Sequence, residues 1–171
     1  MINLTGLKIS FVAIGLLEQL KDLIHQLDQE QYTVPLAVLS QSTIGQHYRH
    51  CLEFFDCMLQ GLDTGVIAYD KRQREERLNV DMEYVLERID AIIYHISTAE
   101  DQPIELEASY PCSEVTGVRI NTSLLRELHY NIEHLVHHMA IIKIGVKENF
   151  KHVALNPSFG ISESTIAYHQ Q

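Results

Sequence analysis

The stretch Asn131-Ile132-Glu133-His134-Leu135-Val136-His137-His138-Met139-Ala140-Ile141-Ile142 decides how the chain is read. Leu128, Ile132, Leu135, Met139 and Ile142 recur at three- and four-residue spacing, which is one face of an α-helix. His134 and His138 are four apart and fall beside one shoulder of that apolar stripe. On a helix, side chains so spaced lie about 6 Å apart on a common face. His137 falls near the opposite, polar side, so it is expected to face solvent. The pair can share a metal ion, with each imidazole nitrogen about 2.0–2.1 Å from it. By itself a histidine pair of this spacing is a loose signal, because helical histidines are often solvated or bonded to a backbone carbonyl. The sequence has no His-Glu-x-x-His, so the metalloprotease arrangement lacks its general base.

Three further stretches carry the same period. Leu16, Leu17, Leu20, Leu23, Ile24 and Leu27 mark a first helix, from about Leu7 to Gln29. Ser42 or Thr43 can cap a second, from about Ile44 to Leu62, which stops at Gly61 and Gly65. Val85, Ile89, Ile92, Ile93 and Ile96 mark a third, from about Val80 to Ser97. The helix with the histidine pair is the fourth, from Thr122 or Ser123 to Gly145. Between the third and fourth, Ile104 to Ala108 and Val115 to Ile120 alternate at period two around Pro111 and Gly117. This predicts a short extended hairpin or an irregular connection. The tail beyond Lys147 shows no clear period. The expected fold class is all-α: one four-helix-bundle domain over residues 1–171, with long connections on both sides of the third helix.

The second helix offers a third ligand. His47 and His50 both lie in Gly45-Gln46-His47-Tyr48-Arg49-His50-Cys51, and either can face inward. Three histidines from two helices leave a tetrahedral ion one place for water or substrate, a catalytic type of coordination. A neutral shell also leaves the metal its full positive charge. Bundle di-iron sites need Glu-x-x-His on two helices, and no Glu-x-x-His occurs in these helices. Cys51 and Cys57 read as core packing rather than ligands. Glu53 and Glu127 are candidate partners that would hold an imidazole in the right tautomer. In the connector Tyr69-Asp70-Lys71-Arg72-Gln73-Arg74, Arg72 or Arg74 can fork onto a carboxylate or phosphate, or the run is a solvated face paired to Glu75 and Glu76.

Composition limits the function classes. The 171 residues carry a net charge of −10, which disfavours nucleic acid and anionic membrane surfaces as partners. No run of about 18 apolar residues is present, and the early apolar run Ile9 to Leu17 lacks a basic start and a cleavage site. Three cysteines, Cys51, Cys57 and Cys112, without paired spacing read as reduced thiols. A cytoplasmic location is therefore expected. Apolar shoulders on the helices, with the usual two-fold symmetry of oligomers, lead to an expected homodimer.

At these residues the chain resembles the DinB-like superfamily, metal-binding four-helix bundles related to the DinB and YfiT proteins. Ser42-Thr43-Ile44-Gly45-Gln46-His47-Tyr48-Arg49-His50 matches a motif whose histidine stands five residues after the glycine. His134-x-x-His137-His138 matches a second, whose first and last histidines are ligands in metal-bound relatives. One branch is also similar at Tyr69-Asp70-x-Arg72-x-Arg74 and from Phe159-Gly160 to Ser164-Thr165. The resemblance implies an up-down-down-up helix order and metal ligation by His50, His134 and His138. It implies a divalent ion, zinc or nickel, and activities that include hydrolase-like, isomerase-like and thiol-transfer reactions on a small-molecule substrate. Thiol-transferring relatives continue as His-His-Arg-Gly-Gln, whereas His138 here precedes Met139-Ala140-Ile141. The expected function is a metal-dependent enzyme of unassigned reaction, against a non-catalytic metal-binding or interaction bundle, stress-associated in kind.

Overall fold

The computed structural model of the chain describes residues 4–110 and 117–169. Cys112 and the start of the second alternating stretch, at Val115, lie outside the described residues. Four long helices are present: α1 (Leu4–Ile24), α3 (Ile44–Thr64), α4 (Met82–Thr98) and α5 (Leu124–Asn149). Two short helices join them, α2 (Gln29–Thr33) and α6 (Glu163–His169). Three strands follow the order β1 (Val66–Ile67), β2 (Pro103–Ala108) and β3 (Val118–Ser123). Short 3-10 turns occur at Ala37–Leu39, Tyr69–Lys71 and Glu76–Asn79.

Capping places the helix starts. Thr43 Oγ1 accepts from Gln46 N at 3.0 Å, while Gln46 Oε1 accepts from Thr43 N at 3.1 Å. This reciprocal pair satisfies two backbone donors that the first turn leaves free. It fixes α3 one turn before its histidines. Ser123 plays the simpler capping role for α5, accepting from Arg126 N. α3 packs against α4 and α5, and α1 packs against the same two helices. Leu17 and Leu20 of α1, Leu52 and Phe55 of α3, Ile89 and Ile92 of α4, and Leu135 and Met139 of α5 are buried in one core. Each such side chain contributes on the order of 1.5–3 kcal/mol relative to exposure.

The fold class differs from the expected all-α four-helix bundle. Six α-helices among the described residues accompany a three-stranded mixed sheet of order β1-β2-β3. β2 and β3 form the antiparallel hairpin, in register from Pro103↔Ser123 to Ala108↔Val118. The added element is β1, which runs parallel to β2 through Val66↔Glu105 and Ile67↔Leu106. Parallel strands need a crossover, and α4 lies within it. Gly65 ends α3 at φ 75°, and this left-handed turn swings Val66 into the sheet. Two residues are too short for a period-two pattern, which is why the strand escapes a sequence reading. α2, α6 and the 3-10 turns lie in stretches read as connector or tail for the same reason.

Gly45 explains the glycine of the Ser42–His50 motif. A Cβ there would meet the Asn79 carbonyl oxygen at 2.2 Å and Tyr32 Cε1 at 2.7 Å. The turn before α4 thus lies directly on the first turn of α3. Tyr32 is itself fixed, because its hydroxyl donates to the Leu78 carbonyl at 2.8 Å. Gly45→Ala is expected to destabilise the fold by about 2–3 kcal/mol, since backbone rather than a flexible side-chain end must move. Chemical denaturation checks this, and a change under 0.5 kcal/mol, roughly the scatter of surface substitutions, would contradict the close approach.

Candidate metal centre

α3 and α5 meet along the face that carries the histidines. One nitrogen of each of His50, His134 and His138 lies within 4.8 Å of the others. His50 Nε2 and His134 Nε2 are 2.9 Å apart. The ring centroids are 4.6 Å apart for His50 and His138 and 4.7 Å for His134 and His138. An ion bound at about 2.0–2.1 Å would space tetrahedral nitrogens about 3.3 Å apart. The three imidazoles are close enough to hold a metal ion, and their donor set of neutral nitrogens suits a divalent one. His50 and not His47 completes the trio. His137 is exposed and meets His138 only edge-on, at 5.4 Å between centroids.

Burial keeps these rings neutral. Desolvation is the first cause in each case. It lowers His138 to about 3, helped by the neighbouring His50 and His134. It lowers His50 to about 4, with His134 and the Arg72 cation adding to it. His134 and His47 are shifted down as well, by burial and then by His137. A neutral imidazole is the form that ligates metal.

The groups behind the ligands differ from the expected carboxylates. Glu53 is buried, but it accepts from Arg72 Nε at 3.2 Å and from Glu75 N at 3.0 Å. Glu127, fully buried, accepts from the Tyr69 hydroxyl at 3.0 Å and the Thr122 hydroxyl at 2.7 Å. Neither carboxylate bonds an imidazole among the described residues. Instead Arg72 Nη2 stands 3.2 Å from His50 Nδ1, and His47 Nδ1 stands 3.0 Å from His138 Nδ1. Arg72 also donates to the Tyr69 carbonyl at 2.9 Å. It is therefore pinned to the trio, whereas Arg74 and Asp70 are exposed. Glu75 and Glu76 do not pair with Arg72; Glu76 pairs with Arg49 at 2.7 Å.

An aromatic wall closes one side. Phe54 stacks on His134 at 4.3 Å and on Tyr69 at 4.9 Å between centroids. Arg72 sits 4.7 Å over the Phe54 ring. Tyr130 lies 6.0 Å from His134 and is partly exposed. Asn131 Nδ2 donates to the Tyr69 hydroxyl at 2.9 Å, which fixes that ring. Phe54 is one turn beyond His50, a spacing that could have marked it; nothing local in the sequence marks Tyr130 or Asn131. Cys51 is buried in the core and its thiol is pushed up by burial, and Cys57 is half-buried and shifted the same way. Neither joins the histidine cluster.

Fold and site together define a helical protein with a small mixed sheet and a three-histidine cluster between two helices. A curated relative is FK506-binding protein 5 of Rhizopus delemar, 30% identical over 173 aligned positions that cover 97% of this chain. The chain spans 40% of that relative's length. No family model and no solved structure matches the chain. No helix among the described residues is long and apolar enough to cross a membrane.

The lowered histidines give the metal-free fold a pH dependence. Their unfolded counterparts take up protons near pH 6.5, while the folded rings stay neutral down to about pH 4 for His50 and about 3 for His138. Between those limits the unfolded chain binds more protons, so stability falls as pH drops below about 6.5. Thermal melts of chelator-treated protein should show this fall, and His138→Ala should flatten it. An unchanged slope in that variant would contradict the burial account.

Proposed function

We propose that the chain is a metal-dependent enzyme of the DinB-like type, with His50, His134 and His138 holding one zinc or nickel ion. The observation that carries the proposal is the convergence of three desolvated, neutral imidazoles from α3 and α5 on one point. Three protein donors make an incomplete shell, the catalytic pattern, whereas structural zinc sites are closed by four. A divalent ion held there supplies a Lewis acid, lowering the pKa of bound water or polarising a substrate.

The chain's own residues supply the rest. Phe54, Tyr69 and Tyr130 give a substrate an apolar wall beside His134. Burial disfavours protonation of the ligating rings. Arg72 adds a fixed positive charge next to His50, which suits a substrate with an anionic or electron-rich group. The reaction class is hydrolase-like or thiol-transferase-like, on a small molecule. The Met139-Ala140-Ile141 continuation after His138 sets it apart from the thiol-transferring sequences.

Metal analysis of single variants tests the ligand set. His50→Ala, His134→Ala and His138→Ala are each expected to lose stoichiometric metal, and His137→Ala to keep it. Cobalt substitution tests the enzyme reading. Azide or a low-molecular-weight thiol should shift the visible bands of the cobalt protein by entering the fourth place. Bands indifferent to both ligands would point to a closed, non-catalytic site, and retention of metal in His134→Ala would remove the three-histidine assignment.

A further inference from the structure

We propose that His47 is a positioning residue that accepts a hydrogen bond from His138 and thereby directs the other nitrogen of His138 to the metal. The inference rests on the metal-centre reading above and names a part of the site that reading does not use. His47 is not in the trio, yet its Nδ1 lies 3.0 Å from Nδ1 of His138. The Nδ1 atom of His138 is thus taken up by this contact, which leaves Nε2 as its ligating atom. An imidazole ligating through Nε2 carries its proton on Nδ1. That proton needs an acceptor, which in most metal sites is a carboxylate or a backbone carbonyl. Here the atom facing it is His47 Nδ1, which accepts only if the His47 proton is on Nε2. His47 Nε2 is enclosed and has no hydrogen-bond partner among the described residues. The His47 tautomer that serves His138 therefore leaves one buried donor unpaired. A buried polar group without a partner costs about 1–3 kcal/mol, and a leucine would pack in its place without that cost.

The contrast with His50 sharpens the assignment. The group at His50 Nδ1 is Arg72, a cation that can only donate. Arg72 therefore favours a His50 with no proton on Nδ1, the reverse of what ligation through Nε2 asks. His138 is the ligand of the two whose outer nitrogen faces a group able to accept. It is the better-oriented donor, and His47 makes it so. The placement follows from the helix: His47 and His50 are three apart on α3, so one turn supplies both a ligand and the support for another ligand on α5.

The test compares His47→Ala with His47→Asn in the full chain, using zinc with a competing chelator. The Asn side-chain oxygen stands the same number of bonds from Cα as His Nδ1 and can accept but not ligate well. His47→Ala should bind zinc about 10–100-fold more weakly than wild type, while His47→Asn should stay within about threefold of it. Both should still bind one ion. Nitrogen-15 correlation spectra of the zinc-loaded wild type should show His138 protonated at Nδ1 and ligated at Nε2, a signature that mere packing would not produce. Equal weakening in both variants, unchanged affinity in His47→Ala, or His138 ligated through Nδ1 would overturn the proposal while leaving the trio intact. A wild type that binds no zinc would overturn the metal-centre reading and this proposal with it.

Discussion

The contact on which the site depends is the seam between α3 and α5, where imidazoles are withdrawn from water and must satisfy one another. His50 meets His134 at 2.9 Å and His47 meets His138 at 3.0 Å, so the seam is stitched twice across the same two helices. Withdrawing four polar rings from water costs desolvation energy, and each contact recovers part of it. The packing that permits this comes from elsewhere. The Thr43–Gln46 capping pair sets the start of α3, and the β2–β3 hairpin runs directly into the start of α5. The rings are thus held by elements whose own positions are fixed by backbone bonding.

Around the seam the electrostatics are arranged in layers. Glu53, buried, gathers Arg72 and the Glu75 backbone amide, and Arg72 then reaches His50. Glu127, also buried, gathers Tyr69 and Thr122, and Asn131 adds a second bond to Tyr69. Glu53 acts one step away from the imidazoles, through Arg72, and Glu127 two steps away, through Tyr69 and Phe54. Glu53 fixes the 3-10 turn that carries Tyr69 and the arginine after it, and Glu127 fixes the aromatic ring that stacks on Phe54. The connector between β1 and α4 is therefore part of the site, tied to it at three points.

The four long helices were legible because each shows an apolar stripe several turns long, and the His134–His138 pair was legible because i,i+4 spacing on a helix fixes relative position. The choice of His50 over His47 came from the motif resemblance, since both lie on the same turn and periodicity alone does not separate them. Other features needed contacts that no local pattern encodes. β1 has two residues and exists only because Glu105 and Leu106 lie beside it. Arg72 reaches a histidine 22 positions earlier, and Tyr69 reaches Glu127 across 58. The expected roles of Glu53 and Glu127 as imidazole partners failed for one reason. Helical spacing places them near the histidines, but other donors take their oxygens: Arg72 and the Glu75 amide at Glu53, and Tyr69, Thr122 and Arg126 at Glu127.

The most direct test of the account is X-ray absorption of the zinc-loaded protein, which counts the imidazoles bound to the ion. Three histidine nitrogens near 2.0–2.1 Å, with one oxygen from solvent, is the expected shell. In the fraction of His50→Ala that still takes up zinc at excess metal, the outer-shell scattering should fall to two imidazoles. Sulfur in the first shell, or an imidazole count unchanged by that replacement, would contradict the assignment of the centre to the seam between α3 and α5.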